Sequence, residues 1–345
     1  MAKTQPSATR TSQQPRQRRL VWRWAFVMRT CNPPPGRVDV VSKWLVLLRA
    51  CVFPLTITSA AVAGLLAVHE PGFDPWLFGL AGIGLLVAHG ANNLMNDLFD
   101  LRTAVDTQSY PRALYAPHPV LSGLITRRGL ARAAVAANAV SLAVLVVLAL
   151  ERGWAVVGFA LAGFLVSAGY TAPPLRFKKR GLGEISVFAV WGPLMVGGAY
   201  YAATGTIPGR VIAASVPFAL LATTVLMGKH IDKLEWDERA DIRTLPVLMG
   251  SARARTLTLG MMVAFYVSVA ALVAVRWLPW FALVSLVGIE RLVRVWSPMT
   301  NPRPDAPPKG FPVWPLWYAP VAFVHARRAG ALLLVGLAAA AVLHF

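Results

Sequence analysis

Nine apolar runs, each near the roughly 20 residues that a helix needs to cross a hydrocarbon layer, leave this chain few ways to fold. They lie at 44–67, 76–98, 128–150, 153–172, 184–203, 209–229, 255–275, 278–297 and 328–345. A bilayer offers the backbone no water, so runs of this length become helices. The expectation is an all-α integral membrane protein with about nine transmembrane helices. Composition agrees: 56% of residues are hydrophobic, 14% are charged, and the mean hydropathy is +0.56, well beyond a soluble domain.

The formal net charge of +19 raises nucleic acid as a partner. The basic residues, however, sit between the apolar runs and form no separate basic domain with a binding motif. They sort the connections into two classes. The N-terminal segment, the 101–128 loop, Arg176 to Arg180, the 229–255 loop and the segment from Arg291 to Arg328 are basic; the alternate connections hold only His69, Glu70, Glu151, Arg152, Arg210 and Arg276. The positive-inside rule then puts the N-terminus in the cytoplasm and the C-terminus outside, as in a multi-pass protein of a bacterial inner membrane. Residues 1–36 read as a flexible basic cytoplasmic tail, and 37–345 as a single transmembrane domain. Within the tail, Arg16, Arg18, Arg19 and Arg23 alternate with Trp22 and Trp24, which suits either anionic lipid head groups or a solvated topogenic segment. Met1 is followed by polar residues, so no cleavable signal peptide is expected. Cys31 and Cys51 have no metal or redox spacing, and no disulfide is expected between them.

Acidic residues gather at the ends of two apolar runs. The first cluster runs from Asn92 to Asp106, and helical spacing puts Asn93, Asn96, Asp97 and Asp100 on one face. The second runs from Lys229 to Thr244 and holds Asp232, Asp237 and Asp241. Carboxylate and amide oxygens suit a hard cation, and Mg²⁺ characteristically takes one or two carboxylates together with phosphate oxygens. Two acidic segments on the same side therefore suggest two half-sites for one diphosphate, bridged by cations. The basic neighbours Arg102, Arg112 and Arg127, and Lys229, Lys233, Arg239 and Arg243, complete a cradle or serve topology alone. Ionisation of an allylic diphosphate fits the setting, because an apolar chamber excludes water and an aromatic face stabilises a cation. Tyr170, just before Thr171-Ala172-Pro173-Pro174, is the candidate face. His118 in the cap loop is a candidate for orienting an acceptor. Polar groups at helices, here Arg49, His89 and Glu184, are expected to face the bundle interior, Arg49 toward diphosphate or toward the interface.

Three motifs in order resemble the UbiA superfamily of intramembrane prenyltransferases. They are Asn96-Asp97-Leu98-Phe99-Asp100 with Asp106, the stretch from Tyr170 to Glu184 that includes Lys178, and Asp237 ahead of Arg243-Thr244-Leu245-Pro246. The first spacing is most similar to the menaquinone branch, which prenylates dihydroxynaphthoate. The resemblance implies a Mg²⁺-dependent transferase, a helical bundle with cytoplasmic cap loops, a prenyl diphosphate donor and an aromatic acceptor, with membrane lipid as the surroundings and no obligate protein partner. Asn96, Asp100 and Asp106 would hold the first metal with Asp97 beside them, and Asp237 the second. The second motif departs from the pattern: four residues before Asp237 the family has an acid, and here stands Lys233, while the usual upstream amides are Lys229 and His230. Either the helix is irregular and Asp232 is recruited, or Asp237 and Asp241 act together. A terpene cyclase on the same fold is the alternative activity. A cation transporter would place its acids near the midplane of broken helices, whereas these lie at helix ends.

Overall fold

The structure is a computed structural model and describes residues 16–102, 118–309, 311 and 313–344. Thirteen helices are described: α1 (Arg16–Thr30), α2 (Val40–Leu47), α3 (Phe53–Ala67), α4 (Pro75–Arg102), α5 (Arg127–Arg152), α6 (Trp154–Thr171), α7 (Gly183–Thr204), α8 (Gly209–Asp232), α9 (Leu234–Arg239), α10 (Leu245–Met249), α11 (Ser251–Ala274), α12 (Ile289–Thr300) and α13 (Tyr318–Val342). No strand occurs among the described residues beyond an isolated bridge between Arg180 and Arg243.

Eight of these segments are long and apolar enough to cross a membrane, counting α3 from Ala50, and the chain is an integral, multi-pass membrane protein. The run expected at 278–297 takes a different form. It is a 3₁₀ segment, Trp280–Gly288, that continues into α12, and Glu290, Arg291 and Arg294 make its second half polar. It still returns the chain along the bundle, since Arg255 at the start of α11 donates to the Thr300 carbonyl at 2.9 Å. The last helix also begins ten residues earlier than its apolar run, at Tyr318.

α8 is the centre of the bundle. Of its most apolar window 67% is buried, against 11% for α5 and 17% for α6, which lie at the periphery with apolar side chains turned outward. Burial of α8 requires close neighbours, and Gly228 supplies one approach: a Cβ there would lie 2.6 Å from the Tyr318 carbonyl oxygen of α13. In α7, Pro193 stands within a π turn at Val190–Leu194. A proline removes a helical donor and crowds the preceding turn, and in the same turn the Trp191 carbonyl accepts from Ser59 at 2.6 Å.

The two ends of the bundle differ. At one end short connections are sewn together by polar contacts: Arg152 donates to the carbonyls of Gly72, Ala202 and Ala203, Arg210 pairs with Glu70, and His69 meets the Ala341 carbonyl at 2.6 Å. At the other end α2 and α3 are separated by a break, where Arg49 adopts a left-handed backbone (φ 51°). Such a conformation is uncommon outside glycine. Two features near it differ from the sequence expectation. The stretch taken as a flexible tail contains helix α1, in contact with the following segment through Trp24 Nε1 and Asp39 Oδ1 at 3.1 Å. Cys31 and Cys51 form a disulfide, because the α2–α3 break brings their Cα atoms to 5.5 Å, within the usual range for such a bond.

Candidate active site

A pocket opens at the end of the bundle that carries the α2–α3 break. Its walls are Arg49, Asn96 and Asp100 of α4, Tyr170 and Thr171 closing α6, Lys178 of the following loop, and Lys229, His230 and Lys233 at the end of α8. Seven of these nine were candidates from the sequence; Thr171 and His230 were not. The Thr171 hydroxyl donates to Asn96 Oδ1 at 2.9 Å, and His230 Nδ1 meets Glu184 Oε1 at 2.6 Å, with both residues buried. The break after Thr171 was the available signal for the first. The second depends on α7 meeting α8, which spacing does not reveal.

Local geometry explains which side chains converge. Residues four apart on a helix stack, while consecutive residues point about 100° apart. Asn96 and Asp100 form one stripe of α4 and reach the pocket. Asn93 and Asp97 form the adjoining stripe and turn to the α2–α3 break. There Asn93 Nδ2 donates to the Leu48 carbonyl at 2.9 Å, and Arg49 donates to the fully buried Asp97. Arg49 therefore touches both the pocket and Asp97. His118 lies beneath this stripe and outside the pocket. Its Nδ1 accepts from the Val120 amide (3.2 Å), which leaves Nε2 to donate to the Asp97 carbonyl (2.9 Å).

Tyr170 ends α6 because Ala172 turns to extended backbone ahead of Pro173, as residues before proline do. Its ring is seated against Gly183 at the start of α7, where an added Cβ would lie 3.3 Å from Tyr170 Cε2. Lys178 and Lys179 follow in a short 3₁₀ turn. Burial, and then the nearby charges of Arg176 and Lys178, hold the Lys179 ammonium below its ordinary range. The bridge from Arg180 to Arg243 ties this loop to the one after α9.

The second acidic segment adopts neither of the arrangements that the sequence left open. The helix is indeed broken, since Lys233 ends α8 and precedes α9. Yet Asp232 is not recruited beside Asp237. Its Oδ1 accepts the amides of Trp317 and Tyr318 at 2.8 and 2.9 Å, and its Oδ2 that of Ala319 at 2.8 Å. It caps α13, whose first amides lack intrahelical partners. Asp241 is 85% exposed in a left-handed turn and faces Arg243 at 3.3 Å, and Arg239 and Arg243 are exposed. Asp237 is buried as well, with the Lys233 ammonium 3.6 Å from its Oδ1. Asp106 and Arg112 lie outside the described residues.

Among the described residues no three His, Cys, Asp or Glu side chains come together to hold a metal. The α4 wall offers the oxygens of Asn96 and Asp100, a donor set that suits a hard divalent cation completed by ligand oxygens.

Comparison with known proteins gives the family. The UbiA prenyltransferase family matches residues 57–319. The 1,4-dihydroxy-2-naphthoate octaprenyltransferase of Mycobacterium tuberculosis is 31% identical over 216 residues, 61% of this chain and 70% of that protein. The enzyme of the same name from Escherichia coli is 29% identical over 233 residues, 64% and 72% of the two chains. In fold, the chain is similar to a UbiA homolog from Aeropyrum pernix (TM-score 0.60, 18% identity, 87% of this chain and 99% of that one). It is also similar to a UbiA homolog from Archaeoglobus fulgidus solved with GPP and Mg²⁺ (TM-score 0.51, 17% identity, 86% and 99%). With three quarters of its length matched and its helices superimposable on solved members, the chain belongs to the UbiA prenyltransferase family.

Proposed function

We propose that this protein transfers an isoprenyl group from an allylic diphosphate to an aromatic quinone precursor within the membrane. The observation that carries this reading is the meeting of Asn96 and Asp100 from one helix end with Lys229 and Lys233 from another, around a pocket also lined by Arg49, Lys178 and Tyr170. Four cationic side chains facing one carboxylate make a wall suited to a polyanion. The names of the relatives, two of them dihydroxynaphthoate octaprenyltransferases, support the aromatic acceptor.

In the reaction the allylic C–O bond breaks and its electron pair leaves with the diphosphate. A ring carbon of the acceptor forms the new C–C bond, and the ring then loses a proton. Arg49, Lys178, Lys229 and Lys233 hold the diphosphate and balance its charge as it departs. Tyr170 presents an aromatic face at the mouth of the apolar interior, where a cationic carbon is stabilised and water is excluded. Asn96 and Asp100, with Asp106, are the residues that would hold Mg²⁺, which when bound neutralises the leaving diphosphate. Asp97, Asn93 and His118 position this wall from behind, and Arg239 and Arg243 are exposed and outside the pocket lining. The basic loops at this end are assigned to the cytoplasm, with the N-terminus inside and the C-terminus outside.

The test is diphosphate release by the purified protein from geranylgeranyl and longer prenyl diphosphates, with and without Mg²⁺. It is run against aromatic acceptors, 1,4-dihydroxy-2-naphthoate first. Release that requires both Mg²⁺ and one acceptor is expected. Release without any acceptor would instead make the protein a cyclase or lyase on the same fold.

A further inference from the structure

The α8 wall of the pocket differs in kind from the α4 wall. Lys229 and Lys233, four residues apart, stack on one stripe of the helix and both reach the pocket. Beyond the break lies Asp237 of α9, which the Lys233 ammonium approaches to 3.6 Å, both side chains being almost fully buried at 4% and 0% exposure. A metal joining Asp237 to the ligand would have to displace that ammonium or sit beside it, against the repulsion of a like charge. The other acids of the segment are committed elsewhere: Asp232 to three amides of α13, and Asp241 to an exposed turn beside Arg243. A second cation would therefore meet, on this wall, a carboxylate that already faces an ammonium, while positive charge stands there without a metal.

We propose that the α8 half of the site is a cradle of fixed charge, in which the Lys229 and Lys233 ammonium groups stand where a second cation would otherwise bridge to the diphosphate. The chain then binds diphosphate with one divalent ion, held on the Asn96–Asp100 wall. The proposal rests on the transferase reading above and narrows it. The remaining cations fit the same division: Arg49 and Lys178 bring the pocket to four basic side chains against Asp100. An ammonium is a compact point charge with three donors, well matched to phosphate oxygens without a metal between them.

The experiment counts ions and uses inorganic pyrophosphate as the probe. The full-length protein in detergent is titrated with Mn²⁺ in saturating pyrophosphate, and bound Mn²⁺ is read by electron paramagnetic resonance. One ion per chain is expected. Two ions per chain would overturn the proposal and leave the transferase reading intact. Pyrophosphate that binds neither with Mn²⁺ nor in EDTA would overturn both. In EDTA the wild type is expected to retain measurable pyrophosphate binding, and Lys229→Gln to weaken it at least tenfold with the Mn²⁺ count still one. Unchanged binding by that variant would overturn the cradle. A folded Lys233→Asp variant, which sets an acid four residues before Asp237, is expected to hold two ions. If it holds one, Lys233 is not what excludes the second.

Discussion

Arg49, held in a left-handed backbone at the break between α2 and α3, donates to the buried carboxylate of Asp97 while also lining the pocket. The pair anchors the break to α4, because neither side chain is fully solvated: Arg49 is 24% exposed and Asp97 1%. Breaking a buried ion pair leaves a charge without its counterpart and costs about 3 kcal/mol or more. Arg49→Ala is therefore expected to lower thermal stability by about that much and to weaken pyrophosphate binding as well. Adding Asp97→Asn to the Arg49→Ala chain should restore part of the stability and none of the binding. Unfolding curves and a pyrophosphate titration on the wild type and the two variants check this.

Asp232 is expected to matter for stability and not for metal. Asp232→Ala leaves the amides of Trp317, Tyr318 and Ala319 without their acceptor, at a cost of about 2–3 kcal/mol. The Mg²⁺ concentration giving half-maximal diphosphate release should stay within about twofold of wild type. A tenfold rise would return Asp232 to the metal site.

Gly228 allows α8 and α13 to approach at the level of the pocket. A Cβ there would meet Tyr318 backbone atoms at 2.6 and 2.7 Å and Ala319 Cα at 2.8 Å, none of which can rotate aside. Gly228→Ala should destabilise the bundle by about 1–3 kcal/mol. Gly79→Ala is the control, since it is helical and has nothing within 4 Å. It should be neutral or stabilising by up to about 1 kcal/mol. Melting temperatures of the two variants separate the effects.

The junction of α1 and α2 should loosen in acid. Burial raises the Asp39 pKa, but hydrogen bonds from the Ser42 hydroxyl and amide and from Trp24 outweigh it, lowering the pKa from an ordinary 3.8 to about 2. A carboxyl whose pKa falls on folding stabilises the fold above its unfolded pKa and loses that contribution as pH drops through the folded one. Between about pH 4 and pH 2 the contact between Trp24 and Asp39 is expected to weaken. Tryptophan fluorescence should report the change, and Asp39→Asn should remove it from this window.

The helical membrane fold was legible because apolar length and backbone satisfaction in a bilayer leave one solution. The first half of the site was legible for a similar reason. Asn96 and Asp100 sit four apart on a regular helix, and regular helices keep their periodicity in any surroundings. The exceptions in the fold come where charge interrupts an apolar run, as Glu290, Arg291 and Arg294 do in α12, and where an apolar stretch alone cannot mark a helix start, as at Tyr318.

The second half of the site depended on tertiary contacts. Spacing left open whether Asp232 or Asp241 acts with Asp237, because sequence sets their angular order on an ideal helix and nothing about what approaches them. The arrival of α13 beside α8 takes Asp232 as a cap, the break at Lys233 reorients the residues beyond it, and burial pairs Asp237 with Lys233. The disulfide between Cys31 and Cys51 and the meeting of Glu184 with His230 likewise require segments distant in sequence to be packed first. Sequence alone thus determined the helices, the membrane and the acid stripe of α4, all consequences of local periodicity and solvent. Which charged groups face one another across the pocket was decided by packing alone, because a side chain's partner is set by the neighbour that excludes water from it.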